Sequence, residues 1–277
     1  MPLVMPLAGI YTWNLSPPVL ATVALAGVVY AWRLRDVRRA PGVRAGHDTL
    51  RALAFGAGLA VVLLALVSPI DRLGEERLFT MHMVQHLLLA DLAPILLLLG
   101  LSRVMLRPAV RRLRPLEESL GPLAHPATAL AAYVGLMWLW HVPALYDLAV
   151  EHTWAHLLEH ASFFTAGVAF WWFLIEPVPP RHRLTGPWSL AYLSAAKVLM
   201  GALGVVLAFA PEVSYDAYAG APQTWGLSPL EDLNVGGVVM MVEQSIVLVV
   251  AFAIFFARML ERSEAEQQRR ERFEAGG

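Results

Sequence analysis

Two imidazoles stand four residues apart in "MHMVQHLLLA", residues 81–90, inside an otherwise apolar run. Residues i and i+4 share one face of a helix, so His82 and His86 point the same way. The stretch "EHTWAHLLEH" repeats the spacing with His152, His156 and His160, and "WLWHVPALYD" carries His141. Imidazole is the commonest metal ligand, and a helix bundle lets several of them converge on one transition ion. The chain has no cysteine, which excludes thiolate ligands, disulfides and a cysteine nucleophile. A metal site must therefore use His, Met, carboxylate or backbone oxygen.

The elements that position these residues are membrane spans. A mean hydropathy of +0.56, with 57% hydrophobic and 16% charged residues, is too apolar for an ordinary soluble domain. The net charge of −1 gives no bulk basic character, so no nucleic-acid partner is expected. About 20 apolar residues cross the hydrocarbon core, and seven runs qualify: 17–34, 50–69, 78–101, 126–143, 153–175, 188–210 and 233–258. Pro17 and Pro18 open the first helix, where proline is tolerated. The expected fold is all-α, a polytopic membrane protein with a seven-helix bundle. It forms one transmembrane domain over 1–260, with a frayed charged tail over 261–277.

The loops fix the expected orientation. "RLRDVRRAPGVR", "SRVMLRPAVRRLRP", "PRHR" and "QQRRER" fall on one side, whereas the loops on the other hold only Arg72 and Arg77. Arginine-rich loops stay in the cytoplasm, which puts the N-terminus outside and the C-terminus inside. The N-terminal stretch lacks the basic segment of a leader peptide, so none is expected to be cleaved.

This orientation gathers six of the nine histidines, His82, His86, His141, His152, His156 and His160, into the outer third. A lone polar residue in a span ordinarily bonds a neighbouring helix, but paired ionisable groups at matched depth mark function. Met83 and Met240, with Met81 and Met241, lie at similar depth. Thioethers with imidazoles and no thiolate lean toward copper, Cu(I) in particular. The expected ligands are His82, His86, His141, His156 and His160 with Met83 and Met240. His152 is nearest water, and His47, His125 and His182 fall on the cytoplasmic side.

Asp91, Lys197 (the single lysine) and Glu243 each fall near mid-span. Bare charges there are costly, so a buried ion pair or triad is expected. Pro94 is expected to kink the third helix. Trp138, Trp140, Trp171 and Trp172 read as interfacial belts. The outer loop 211–231, with Tyr215, Tyr218 and Trp225, is placed either to cover the histidines or to meet a partner.

"MHMVQHLLLADLAPILLLLG", "WHVPALYDLAVEHTWAHLLEHASFF" and "EDLNVGGVVMM" resemble the signature stretches of the CtaG-type, seven-span cytochrome c oxidase assembly factor family. The likeness runs from about residue 50 to 258. Its most specific parts are Met81-His82-Met83 with Gln85-His86, Trp140-His141 with Pro143 and Tyr146-Asp147, and His156 with Glu159-His160. In the last span it departs. Where the family typically carries Met-Trp and a Pro-Gly turn, this chain has Met240-Met241 and then "VEQS", which puts Glu243 deep in a helix. The resemblance implies a bacterial plasma-membrane protein that helps assemble a heme-copper oxidase, holding copper at the outer face or delivering it to an oxidase subunit, with a periplasmic copper donor as a further partner. No reaction on an organic substrate is implied. Two other readings are a heme-binding membrane redox protein, ligated by histidines on facing spans, and a copper or ion transporter that uses Asp91, Lys197 and Glu243.

Overall fold

Proline sets where many of these helices begin, because it cannot donate a backbone hydrogen bond and is free of that cost only in the first turn. The computed structural model describes residues 11–39, 45–184 and 186–275, which are helical with no strand among them. The helices are α1 (Pro17–Arg38), α2 (Ala45–Val67), α3 (Pro69–Glu76), α4 (Phe79–Leu87), α5 (Ala93–Gly100), α6 (Arg103–Leu120), α7 (Pro126–Trp140), α8 (Pro143–Glu151), α9 (Thr153–Ile175), α10 (Pro187–Ala208), α11 (Asp216–Ala219) and α12 (Pro229–Ala275). A π-helical turn, Leu88–Leu92, joins α4 to α5. Six of the helical segments are long and apolar enough to cross a membrane, and a seventh is reached if α7 and α8 count as one bent span. The protein is a multi-pass membrane protein.

Where the elements differ from the expected spans, the causes are local. The fourth span, expected over 126–143, ends at Trp140 and turns by 78° into α8. Pro143 disfavours helical geometry in the residue before it, and Val142 is extended at φ −65°, ψ 127°. His141 sits at the corner. The segment after the second span folds into α3, capped by Ser68, whose Oγ accepts from Ile70 N at 3.2 Å. The arginine-rich segment after the third span is the helix α6, with Ser102 as its cap. The seventh span runs without a break to Ala275, taking in the expected tail, which is rich in strong helix formers.

The third span, α4 to α5, is the most enclosed. Its start is held by a residue far away in sequence. The Asp232 carboxylate of α12 accepts from Phe79 N at 2.6 Å and Thr80 N at 3.2 Å, and so caps α4 in place of Leu78, which has no capping side chain. Small residues allow the closest crossings. A Cβ on Gly204 of α10 would lie 2.9 Å from the Gly237 carbonyl of α12, and one on Gly167 of α9 would strike the Ala90 carbonyl in the π turn. That turn takes the place of a plain proline kink before Pro94.

Mid-bundle, Asp91 of the π turn meets Lys197 of α10 at 2.8 Å. Its Oδ1 also accepts from Trp171 Nε1 at 2.8 Å and from Tyr133 Oη at 2.7 Å, while Lys197 donates to Tyr133 Oη at 3.0 Å. The expected ion pair is present. Trp171 belongs to it and is buried, so it is no belt residue. Glu243 is half-buried and accepts a hydrogen bond from Gln244.

Breaking a buried pair on one side is costly, and removing both charges much less so. Lys197→Met is expected to lower stability by about 3–5 kcal/mol, read as a lower thermal midpoint in detergent. Asp91→Asn/Lys197→Met, which keeps an acceptor for Tyr133 and Trp171, is expected to recover most of that loss.

Candidate metal centre

His82 and His86 lie one turn apart on α4, and His156, Glu159 and His160 line the facing side of α9. One ligand atom from each of His82, His86, Glu159 and His160 falls within 4.8 Å of the others. Glu159 is central: its two oxygens lie 3.6 Å from His82 Nε2 and 3.5 Å from His86 Nε2. His82, His86 and Glu159 are at most 1% exposed, and His160 is 7% exposed. Ligand atoms sit about 2.0–2.2 Å from a bound transition ion, so shifts of about 1 Å bring these four to one centre.

Buried polar groups are normally hydrogen-bonded, and the exceptions carry information. Among the described residues, nine buried side-chain N or O atoms lack a hydrogen-bond partner. Seven of them belong to His82, His86, His156, Glu159 and His160.

The surrounding shell sets which ring nitrogen is bare. Tyr218 Oη donates to the Gly74 carbonyl at 2.5 Å, so its lone pairs accept from His82 Nδ1–H at 3.1 Å and from Tyr146 Oη at 3.4 Å. Burial pushes the Tyr218 phenol well above its ordinary value, which keeps the O–H in place. A neutral imidazole has one N–H; where it is spent on Tyr218, the nitrogen turned to the Glu159 carboxylate, His82 Nε2, is the one free to bind an ion. Lone pair and anion repel unless a cation lies between them, either a metal ion or the proton of an imidazolium. His141 is fixed likewise, with Nδ1–H donating to the Met137 carbonyl at 2.7 Å and Nε2 3.3 Å from Met83 Sδ.

The loop between α10 and α12 closes this end of the bundle. Asp147 of α8 accepts from Asp216 N and Ala217 N at the start of α11, and Tyr215 Oη donates to the His141 carbonyl at 3.1 Å. Tyr215 and Tyr218 are buried against the cluster, whereas Trp225 is exposed.

The sequence model for the cytochrome c oxidase caa3 assembly factor family (Caa3_CtaG) matches residues 28–262. The chain belongs to this family. Three curated relatives align along nearly all of it: an uncharacterized protein of Mycobacterium leprae, 24% identical over 93% of this chain, and uncharacterized proteins of Mycobacterium bovis and Mycobacterium tuberculosis, each 25% identical over 92%. The aligned regions make up only 41–43% of those proteins, so the chain spans about two fifths of their length. No solved structure matches.

In this family member the structure brings together His82, His86 and His160 of the expected ligands, and adds Glu159. His156 lies next to them, its ring centroid 4.0 Å from that of His160, but its Nδ1 is turned to Glu75 at 2.6 Å. The His141 ring is 5.9 Å from that of His86 and pairs with Met83. Met240 is buried against Gly204, and no hydrogen bond among the described residues ties it to the imidazoles. His152 is exposed and stacks on Trp154, and His125 pairs with His182 at 5.0 Å. The side chain of His47 lies outside the described residues. Glu159 carries the charge a bound cation needs; an acid inside an apolar run is its signal in the sequence. Tyr218 has no such signal, since only the fold carries its loop to His82.

Tyr218→Phe frees His82 to take either tautomer. Outer partners of this kind are worth 10–100-fold in metal affinity. The variant is expected to stay folded and to bind added Cu(II) about 10–100-fold more weakly by competition titration.

Proposed function

We propose that this chain holds one copper ion in the His82, His86, His160 and Glu159 cluster and supplies it to a heme-copper oxidase subunit during assembly. The observation that carries the reading is the convergence of buried, unpartnered donors within 4.8 Å at one end of a membrane bundle. Membership of an oxidase assembly family supplies the client class, and such an oxidase needs copper built into it.

Orientation supports the same role. The cluster lies at the end opposite the arginine-rich α6, and arginine-rich segments stay in the cytoplasm, which supports an extracytoplasmic position for the histidines in a bacterial plasma membrane. A periplasmic donor would then load the site from that side. Three imidazoles with one carboxylate form a borderline set that accepts Cu(II) as well as Cu(I). The thioether that favours Cu(I) stands beside it, Met83 Sδ at 3.3 Å from His141 Nε2. Four donors packed this closely favour one ion over a heme macrocycle. The Asp91–Lys197 pair and the stacked rings of Tyr133 and Phe170 fill the bundle below, which favours holding and returning an ion over passing it through. The role is carriage, with no chemistry on an organic substrate.

Elemental analysis of purified protein tests this. Wild type is expected to retain about one copper per chain after exposure to copper and desalting, and His82→Ala/His86→Ala to retain essentially none, the pair supplying two of the four donors. Equal copper in both would overturn the reading.

A further inference from the structure

An ion held in the cluster has to cross a seal, because none of the four donors is more than 7% exposed. One neighbouring group reaches solvent. The Glu75 side chain keeps 37% exposure, and its Oε1 accepts from His156 Nδ1 at 2.6 Å. His156 Nε2, on the other edge of the same ring, is buried and has no hydrogen-bond partner. With Nδ1 engaged by Glu75, Nε2 is the ring nitrogen left to face an ion. The ring stands 4.0 Å from His160 and 5.3 Å from His82, centroid to centroid. It therefore bridges a half-exposed carboxylate and the sealed cluster.

The rest of α3 is arranged to hold Glu75 there. A Cβ on Gly74 would come within 3.0 Å of His82 N and Cα, so only glycine lets α3 press against the start of α4. The other nearby carboxylate, Asp71, is engaged on both oxygens, accepting from Asn14 at 3.0 Å and Gln85 at 2.7 Å. Glu75 is bonded to His156 alone among the hydrogen bonds of the described residues, and its side chain keeps solvent exposure.

We infer that Glu75 and His156 form the port of the site: an ion is taken up by the Glu75 carboxylate and His156 Nε2, then passed to His82, His86, His160 and Glu159, and leaves by the same steps reversed. Each step exchanges one donor for another on the same ion, with no change of oxidation state. The inference rests on the reading that the cluster holds copper. Glu75 and His156 act here on rate, while the four inner donors set affinity.

A port and a ligand respond differently to substitution. A group on the path alone alters loading and release by the same factor and leaves the equilibrium in place. The experiment follows copper moving from a chromophoric chelator to the purified full-length protein in detergent, and back again on adding excess chelator. Glu75→Gln is expected to slow both directions about tenfold or more while the final partition stays within about threefold of wild type. Glu75→Asp, which restores the carboxylate on a shorter arm, is expected to recover part of the rate. Wild-type rates in Glu75→Gln would overturn the port. So would a fall in the final partition as large as the fall in loading rate, which would make Glu75 a ligand or a structural support. A wild-type protein that takes no copper from the chelator would instead overturn the underlying reading of the cluster.

Discussion

A carboxylate shut away from water with imidazole nitrogens turned toward it is the constraint on which this end of the protein depends. Removing a carboxylate from water costs several kcal/mol even after relaxation, and only well-placed positive charge or hydrogen-bond donors offset it. Glu159 is 0% exposed, with imidazole nitrogens 3.5–3.6 Å away and no donor within hydrogen-bonding distance. Around it the scaffold is largely satisfied, Gln85 Oε1 being an exception. Asp232 caps α4, Asp147 caps α11, Gln85 ties the Ala65 carbonyl to Asp71, and Tyr218 joins Gly74 to His82. Most polar groups that position are partnered, and those that face the centre are not. Among the described residues, seven of the nine unpartnered buried polar atoms gather at one place, a concentration that a positive ligand would account for.

The second buried polar centre gives the contrast. Asp91 has a lysine, a tyrosine and a tryptophan within 2.7–2.8 Å, with Lys197 turned between two aromatic rings. Nothing there calls for a ligand. Its place in a π turn, where Gly167 lets α9 touch the Ala90 carbonyl, makes it a clamp that fixes the rotation of the third span against the fifth. That rotation decides whether the His82 and His86 face meets the Glu159 and His160 face. One polar centre thus holds the register that the other requires.

Much of this was legible in the residues. Long apolar runs give the spans, and i, i+4 spacing puts His82 with His86 and His156 with His160 on common faces, as the structure has them. The mid-span charges of Asp91 and Lys197 imply each other, since neither is tolerable alone. The 78° bend after Trp140 was not read, although Pro143 carries its cause, because hydropathy averages across a corner. The donor set was read as histidine and methionine. The carboxylate at Glu159 was passed over because an acid beside a histidine has no periodicity of its own, and Met240 was drawn in by depth alone when it faces Gly204. Glu75 and Tyr218 act through contacts 81 and 136 residues distant in sequence, between His156 and Glu75 and between Tyr218 and His82; no spacing rule reaches that far. The change of donors also moves the expectation from copper with Cu(I) favoured to copper in either oxidation state.

X-ray absorption at the copper edge of the loaded, purified protein addresses the donor set itself. The account predicts a first shell of nitrogen and oxygen only, at about 2.0–2.2 Å, with the outer-shell scattering of imidazole rings, and loss of one light donor in Glu159→Leu. A first shell dominated by sulfur at about 2.3 Å, or one lacking imidazole scattering, would contradict it.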